Sequence, residues 1–115
     1  MYRKILFYRK EDQECPVEKF LDSVSEGLQV KIIAVFKLIE TQNVVPGKFL
    51  KKLEGTKLFE VRVEWQSNIY RFPCFFEKDK IVILTHGFQK KTMKTPRREI
   101  ERAENYRQDY LRRQK

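Results

Sequence analysis

The stretch Leu58-Phe59-Glu60-Val61-Arg62-Val63-Glu64-Trp65 alternates apolar and polar residues from Phe59 onward. Successive side chains of a strand point to opposite faces, so this pattern predicts a half-buried strand. Phe59, Val61, Val63 and Trp65 would face inward, with Glu60, Arg62 and Glu64 outward. Gln66-Ser67-Asn68 supplies a polar turn into a second strand over residues 69–77, and Lys78-Asp79 a further turn into residues 81–86. Together these predict a three-stranded antiparallel meander. Pro73 cannot donate a ladder hydrogen bond, so a bulge or an unpaired position is expected there.

Upstream, the short aromatic and β-branched segment 3–9 reads as a first strand, ended by the polar run 10–14. Pro16 suits the first turn of a helix, where its missing N–H would lack a partner anyway, and Phe20, Leu21 and Val24 share an apolar face after it. Ser25 can cap a second helix, in which Leu28, Ile32, Val35, Phe36 and Ile39 recur at helical spacing until Asn43 and Pro46-Gly47 stop it. At the other end, Thr95 is placed to cap a basic helix over residues 96–113, with Pro96 in its first turn. Its stripe of Ile100, Ala103, Tyr106, Tyr110 and Leu111 is diluted by charge, which predicts docking through the first half only. The order β-α-α-β-β-β-α defines an α+β domain, one core's worth of chain at 115 residues.

Charge narrows the partners. Twenty-five Lys and Arg against sixteen Asp and Glu give a net +9, which favours polyanions, nucleic acid first and acidic protein second. Two thirds of that excess falls in residues 90–115. Cys15 and Cys74 form no Cys-x-x-Cys or Cys/His cluster, and with His86 as the one histidine no zinc site is expected. The apolar run near the N-terminus is far shorter than a signal-peptide core or a membrane span, so a cytoplasmic protein without membrane partners is expected. Walker, GxSxG and HExxH motifs are missing.

Three features could carry chemistry. Lys51, Lys52 and Lys57 bracket a turn containing Gly55, which fits either phosphate binding or an ordinary solvated loop. Arg62 and Arg71 fall on adjacent strands, where a guanidinium fork suits phosphate, or else pairs across the sheet with Glu60, Glu64 or Glu77. His86, Lys90, Lys91 and Lys94 lie at a strand end running into a basic loop. A histidine there could move protons or simply pack, while lysines could stabilise a pentacovalent phosphate. Such a cationic site suits RNA cleavage, in which the substrate's own 2′-hydroxyl is the nucleophile and neither metal nor cofactor is needed.

The ordered blocks Phe20-Leu21-Asp22-Ser23, Lys52-Leu53-Glu54-Gly55, Leu58-Phe59-Glu60-Val61-Arg62, Asn68-Ile69-Tyr70-Arg71 and His86-Gly87-Phe88-Gln89-Lys90-Lys91-Thr92 with Thr95-Pro96 resemble the phage-derived HigB-like branch of the RelE/ParE toxin superfamily. The resemblance runs from about residue 17 to residue 110. It implies a compact RelE-like fold over a single domain, residues 1–115. It also implies a type II toxin that enters the ribosomal A site, cleaves translated mRNA without a metal and is held inactive by a cognate helix-turn-helix, HigA-like antitoxin. By position, Arg71 would contact the scissile phosphate, Lys90 or Lys91 would stabilise charge and Arg62 would orient the 2′-oxygen or the phosphate. His86 is the candidate for the leaving-group proton, with Lys51, Lys52, Lys57, Lys90 and Lys94 contacting RNA or ribosome. Phe72-Pro73-Cys74 departs from the pattern after the Tyr-Arg pair, and the superfamily's C-terminal tyrosine has no clear match, since Phe88 lies nearest and cannot donate a proton. Two other readings stand beside this one: a ParE-like gyrase inhibitor on the same fold, and a basic RNA-binding module without catalysis.

Overall fold

A computed structural model describes residues 1–91 and 93–114; Thr92 of the basic loop and Lys115 lie outside the described residues. The elements are β1 (Lys4–Phe7), α1 (Pro16–Asp22), α2 (Glu26–Thr41), β2 (Leu50–Lys52), β3 (Phe59–Trp65), β4 (Asn68–Glu77), β5 (Ile81–Leu84), β6 (Phe88–Lys90) and α3 (Arg97–Arg113). The expected α+β class is found, consistent with a RelE-like fold. Three features go beyond the expected meander. β2 and β6 are added short strands, and β1 runs parallel to β5 at the sheet edge, giving the order β1-β5-β4-β3-β2 with β6 on β4.

Local chemistry accounts for the elements. Ser25 Oγ accepts from the Leu28 N–H at 3.2 Å, as a capping serine should. All five apolar positions read along α2 are buried. β3 and β4 are joined by Gln66 and Ser67, both at positive φ (48° and 67°), between the paired residues Trp65 and Asn68. This is the two-residue geometry whose twist matches a hairpin, here built without glycine.

The long strand β4 reads as nearly continuous apolar sequence because helices cover both its faces. Tyr70, Phe72 and Cys74 join α1 and α2 in one core, while Phe75 packs with Tyr8, Ile83 and Ala103 under α3. Pro73 causes no bulge: β3 pairs straight through it, opposite Glu60. On its other edge β4 changes partner at this point, from β5 at Cys74–Glu77 to β6 at Ile69–Arg71. The Pro73 carbonyl is satisfied by the Thr85 N–H at 2.9 Å. The chain kinks there through Gly87, where a Cβ would sit 2.5 Å from a ring carbon of Phe72, so only glycine fits.

Two expectations about α3 are corrected. Pro96, not Thr95, occupies its N-cap, and the Thr95 hydroxyl is spent on Glu60 instead. Docking extends the whole length of the helix. The Tyr8 hydroxyl donates to Asp109 at 2.5 Å, Tyr110 donates to Glu77 at 2.8 Å and Arg113 donates to the Arg9 carbonyl at 2.5 Å. Among the described residues no helix is long and apolar enough to cross a membrane.

Candidate active site

Pairing register decides which side chains meet on the α3 side of the sheet. Lys51 lies opposite Glu60, Glu60 opposite Pro73, Arg62 opposite Arg71, and Arg71 opposite Phe88, with Lys90 two residues beyond Phe88 on β6. Directly paired residues share a face, so Lys51, Glu60, Arg62, Arg71 and Lys90 project together. Met93, Lys94 and Thr95, just before α3, lie against the same face. The result is a cleft of about 410 Å³ with Lys51, Glu60, Arg71, Lys90, Lys94 and Thr95 in its lining.

At its floor Glu60 is fully buried and ion-paired with Arg71, itself 5% exposed. The second Glu60 oxygen accepts from the Thr95 hydroxyl at 2.6 Å. Cross-strand pairing of Arg71 with Glu60, one of the two readings open for this arginine, is therefore realised. It does not use up the guanidinium, because the Arg71 Nε–H is buried and has no partner among the described residues. A buried donor with no acceptor costs on the order of 1–3 kcal/mol, and such groups are rare enough to point to a bound acceptor. Lys90 is 6% exposed and donates to the Met93 carbonyl. Burial first, then the neighbouring Arg71 charge, pulls its ammonium from 10.5 down to about 8; Glu60 opposes this, while Arg62 and Lys51 add to it.

The other expected site residues divide. Of the two adjacent lysines, Lys90 faces the cleft, whereas Lys91 follows the end of β6 and is exposed outside it. Strand alternation sends neighbours to opposite sides. Lys52 lines the cleft but turns toward the β2–β3 turn, donating to the Thr56 carbonyl. Lys57 lies in a neighbouring groove of about 450 Å³ between that turn and α3, with Arg107. Arg62 is half-buried beside Arg71, close enough to act on Lys90.

His86 is not brought to the cleft. It is 1% exposed under the start of α3, its Nε2 3.0 Å from Glu99 Oε1 and its Nδ1 3.0 Å from the Thr85 hydroxyl. Burial lowers its pKa to about 4, against the opposing pull of Glu99. As a neutral ring His86 donates from Nε2 to the Glu99 carboxylate, while the Thr85 hydroxyl beside Nδ1 also donates to the Pro73 carbonyl at 3.1 Å. Glu60 and Thr95 are the cleft residues that sequence reasoning passed over as functional groups. In the sequence Glu60 looks like Glu64, and Thr95 looks like a helix cap.

Residues 19–108, most of the chain, match the family described as Phage derived protein Gp49-like (DUF891). The chain belongs to this family, which is related to the RelE group and associated with toxins of toxin–antitoxin systems. No curated protein sequence matches it.

Proposed function

We propose that this protein is the toxin of a type II toxin–antitoxin system and that it cleaves mRNA on the ribosome, held in check by a cognate helix-turn-helix antitoxin. The observation that carries this reading is the buried Arg71 Nε–H, without a partner among the described residues, in a cleft lined by Lys51, Lys90 and Lys94. A phosphodiester oxygen is the acceptor such a donor lacks, and the flanking cations offset the charge that grows on phosphorus as the 2′-oxygen attacks. Glu60 is a positioning residue in this scheme. It fixes the guanidinium through one end and leaves Nε to the phosphate. Arg62, opposite Arg71 in the register, neutralises an adjoining phosphate.

The test must separate chemistry from folding. Arg71→Ala would strand the Glu60 carboxylate in the interior, at a cost of about 3–5 kcal/mol. The informative variant is the double change Glu60→Gln with Arg71→Gln, which leaves a neutral pair. We expect it to keep the wild-type circular dichroism and a cooperative melt, to lose growth inhibition and to cut translated mRNA about 10²–10³-fold more slowly. Undiminished toxicity of that folded variant would remove Arg71 from the site.

A further inference from the structure

On the nuclease reading above, a second question is which group protonates the 5′-oxygen when the chain breaks. The geometry points to Lys90: we propose that its ammonium is the proton donor to the leaving 5′-oxygen, a catalytic role separate from the phosphate contact of Arg71.

Lys90 is carried on β6 onto the face that holds Arg71, and its Nζ is directed into the cleft with a main-chain carbonyl, Met93 O, as its acceptor. An ammonium has three N–H bonds, so that contact anchors the side chain while leaving protons to give. The alternatives fail one by one. Arg71 and Arg62 hold their protons at any working pH. His86 stands outside the cleft with Nε2 committed to Glu99. Glu60 accepts from Arg71 and Thr95 and has no proton to donate as a carboxylate. Lys51, Lys52 and Lys94 are exposed, where water competes for both the ammonium and the leaving oxygen, and Lys52 turns away to the Thr56 carbonyl. Lys90 is buried, and the same burial and neighbouring cations that bring its pKa to about 8 make it a readier donor than an ordinary lysine while keeping it mostly protonated at neutral pH.

The step balances as follows. The 2′-oxygen forms a bond to phosphorus, its proton passing to water, and the P–O5′ bond breaks as Lys90 Nζ gives its proton to the 5′-oxygen. The products are a 2′,3′-cyclic phosphate and a 5′-hydroxyl. The neutral amine then regains a proton from solvent.

A sulfur-for-oxygen exchange at the leaving atom tests this directly. With the cut position first mapped, ribosome-bound mRNA carrying either the natural 5′-oxygen or a bridging 5′-sulfur there is given to wild type, Lys90→Met, Lys90→Arg and the double variant Glu60→Gln with Arg71→Gln. A thiolate leaves without being protonated. Both Lys90 variants should therefore be slowed about 10²–10⁴-fold on the oxygen substrate and should cut the sulfur substrate within about tenfold of wild type. The double variant should be slow on both. Rescue on sulfur also shows that the variant is folded. Wild-type kcat/KM on oxygen should fall above about pH 8, and this limb should vanish on sulfur. Lys90 variants equally slow on both substrates, or unaffected on oxygen, would overturn the proposal while leaving the nuclease reading intact. A wild type that cuts neither substrate would overturn both.

Discussion

A carboxylate without water contact is tolerable at the floor of a cationic cleft only because its charge is met on both sides, by Arg71 at one oxygen and the Thr95 hydroxyl at the other. Nothing in the alternating stretch tells Glu60 from Glu64, since both fall on its polar face; they part company because Thr95 is brought against one and the other is left in solvent. Arg71 and Lys90 could be picked out as cations suited to phosphate, but their burial is the product of such long-range packing and was not legible. His86 is the plainest case. Its place beside lysines in the sequence suggests chemistry, yet its ring serves the packing of α3. Since its folded pKa of about 4 lies below the ordinary 6.5, the unfolded chain takes up the proton first as pH falls. Stability should then drop between pH 6.5 and about 4, by roughly 1–3 kcal/mol more in wild type than in His86→Gln, and level off below that. Thermal melts across the range check the sign. One position away, Gly87→Ala should destabilise by about 1–3 kcal/mol or more in urea melts, because its methyl would press on Phe72 and Phe20.

At the level of elements, periodicity was a sound guide wherever the contacts were local. α2 was legible down to each buried residue and its serine cap, and the β3–β4 hairpin followed from alternation and a polar turn. What escaped was non-local: β1 beside β5, the two short strands, and the docking of the second half of α3. That last contact depends on Tyr8 and Glu77, which lie far from the helix in sequence, so a diluted apolar stripe gave no sign of them. The hydroxyls should then carry measurable stability. Since both acceptors are carboxylates, Tyr110→Phe and Tyr8→Phe should each cost about 1.5–3 kcal/mol in denaturant unfolding. The hairpin turn offers the opposite sign. Gln66 and Ser67 hold a left-handed backbone that glycine adopts freely, so Ser67→Gly should raise stability by about 0.5–1 kcal/mol.

For the whole molecule, the net +9 sets a long-range attraction to polyanions that salt must weaken, while the cleft supplies the short-range contacts. Replacing Lys51 and Lys94 together by alanine should lower the slope of log affinity against log salt by about one to two units for single-stranded RNA, read by fluorescence titration. The family places the chain among proteins associated with toxin–antitoxin toxins; the central claim is what the cleft does. The most direct measurement maps mRNA 5′ ends by primer extension in a cell-free translation reaction, with the wild-type protein and with ribosomes present or left out. The account predicts new ends bearing 5′-hydroxyls that appear only on translated message. Message left intact by demonstrably folded protein would contradict it and turn attention to gyrase.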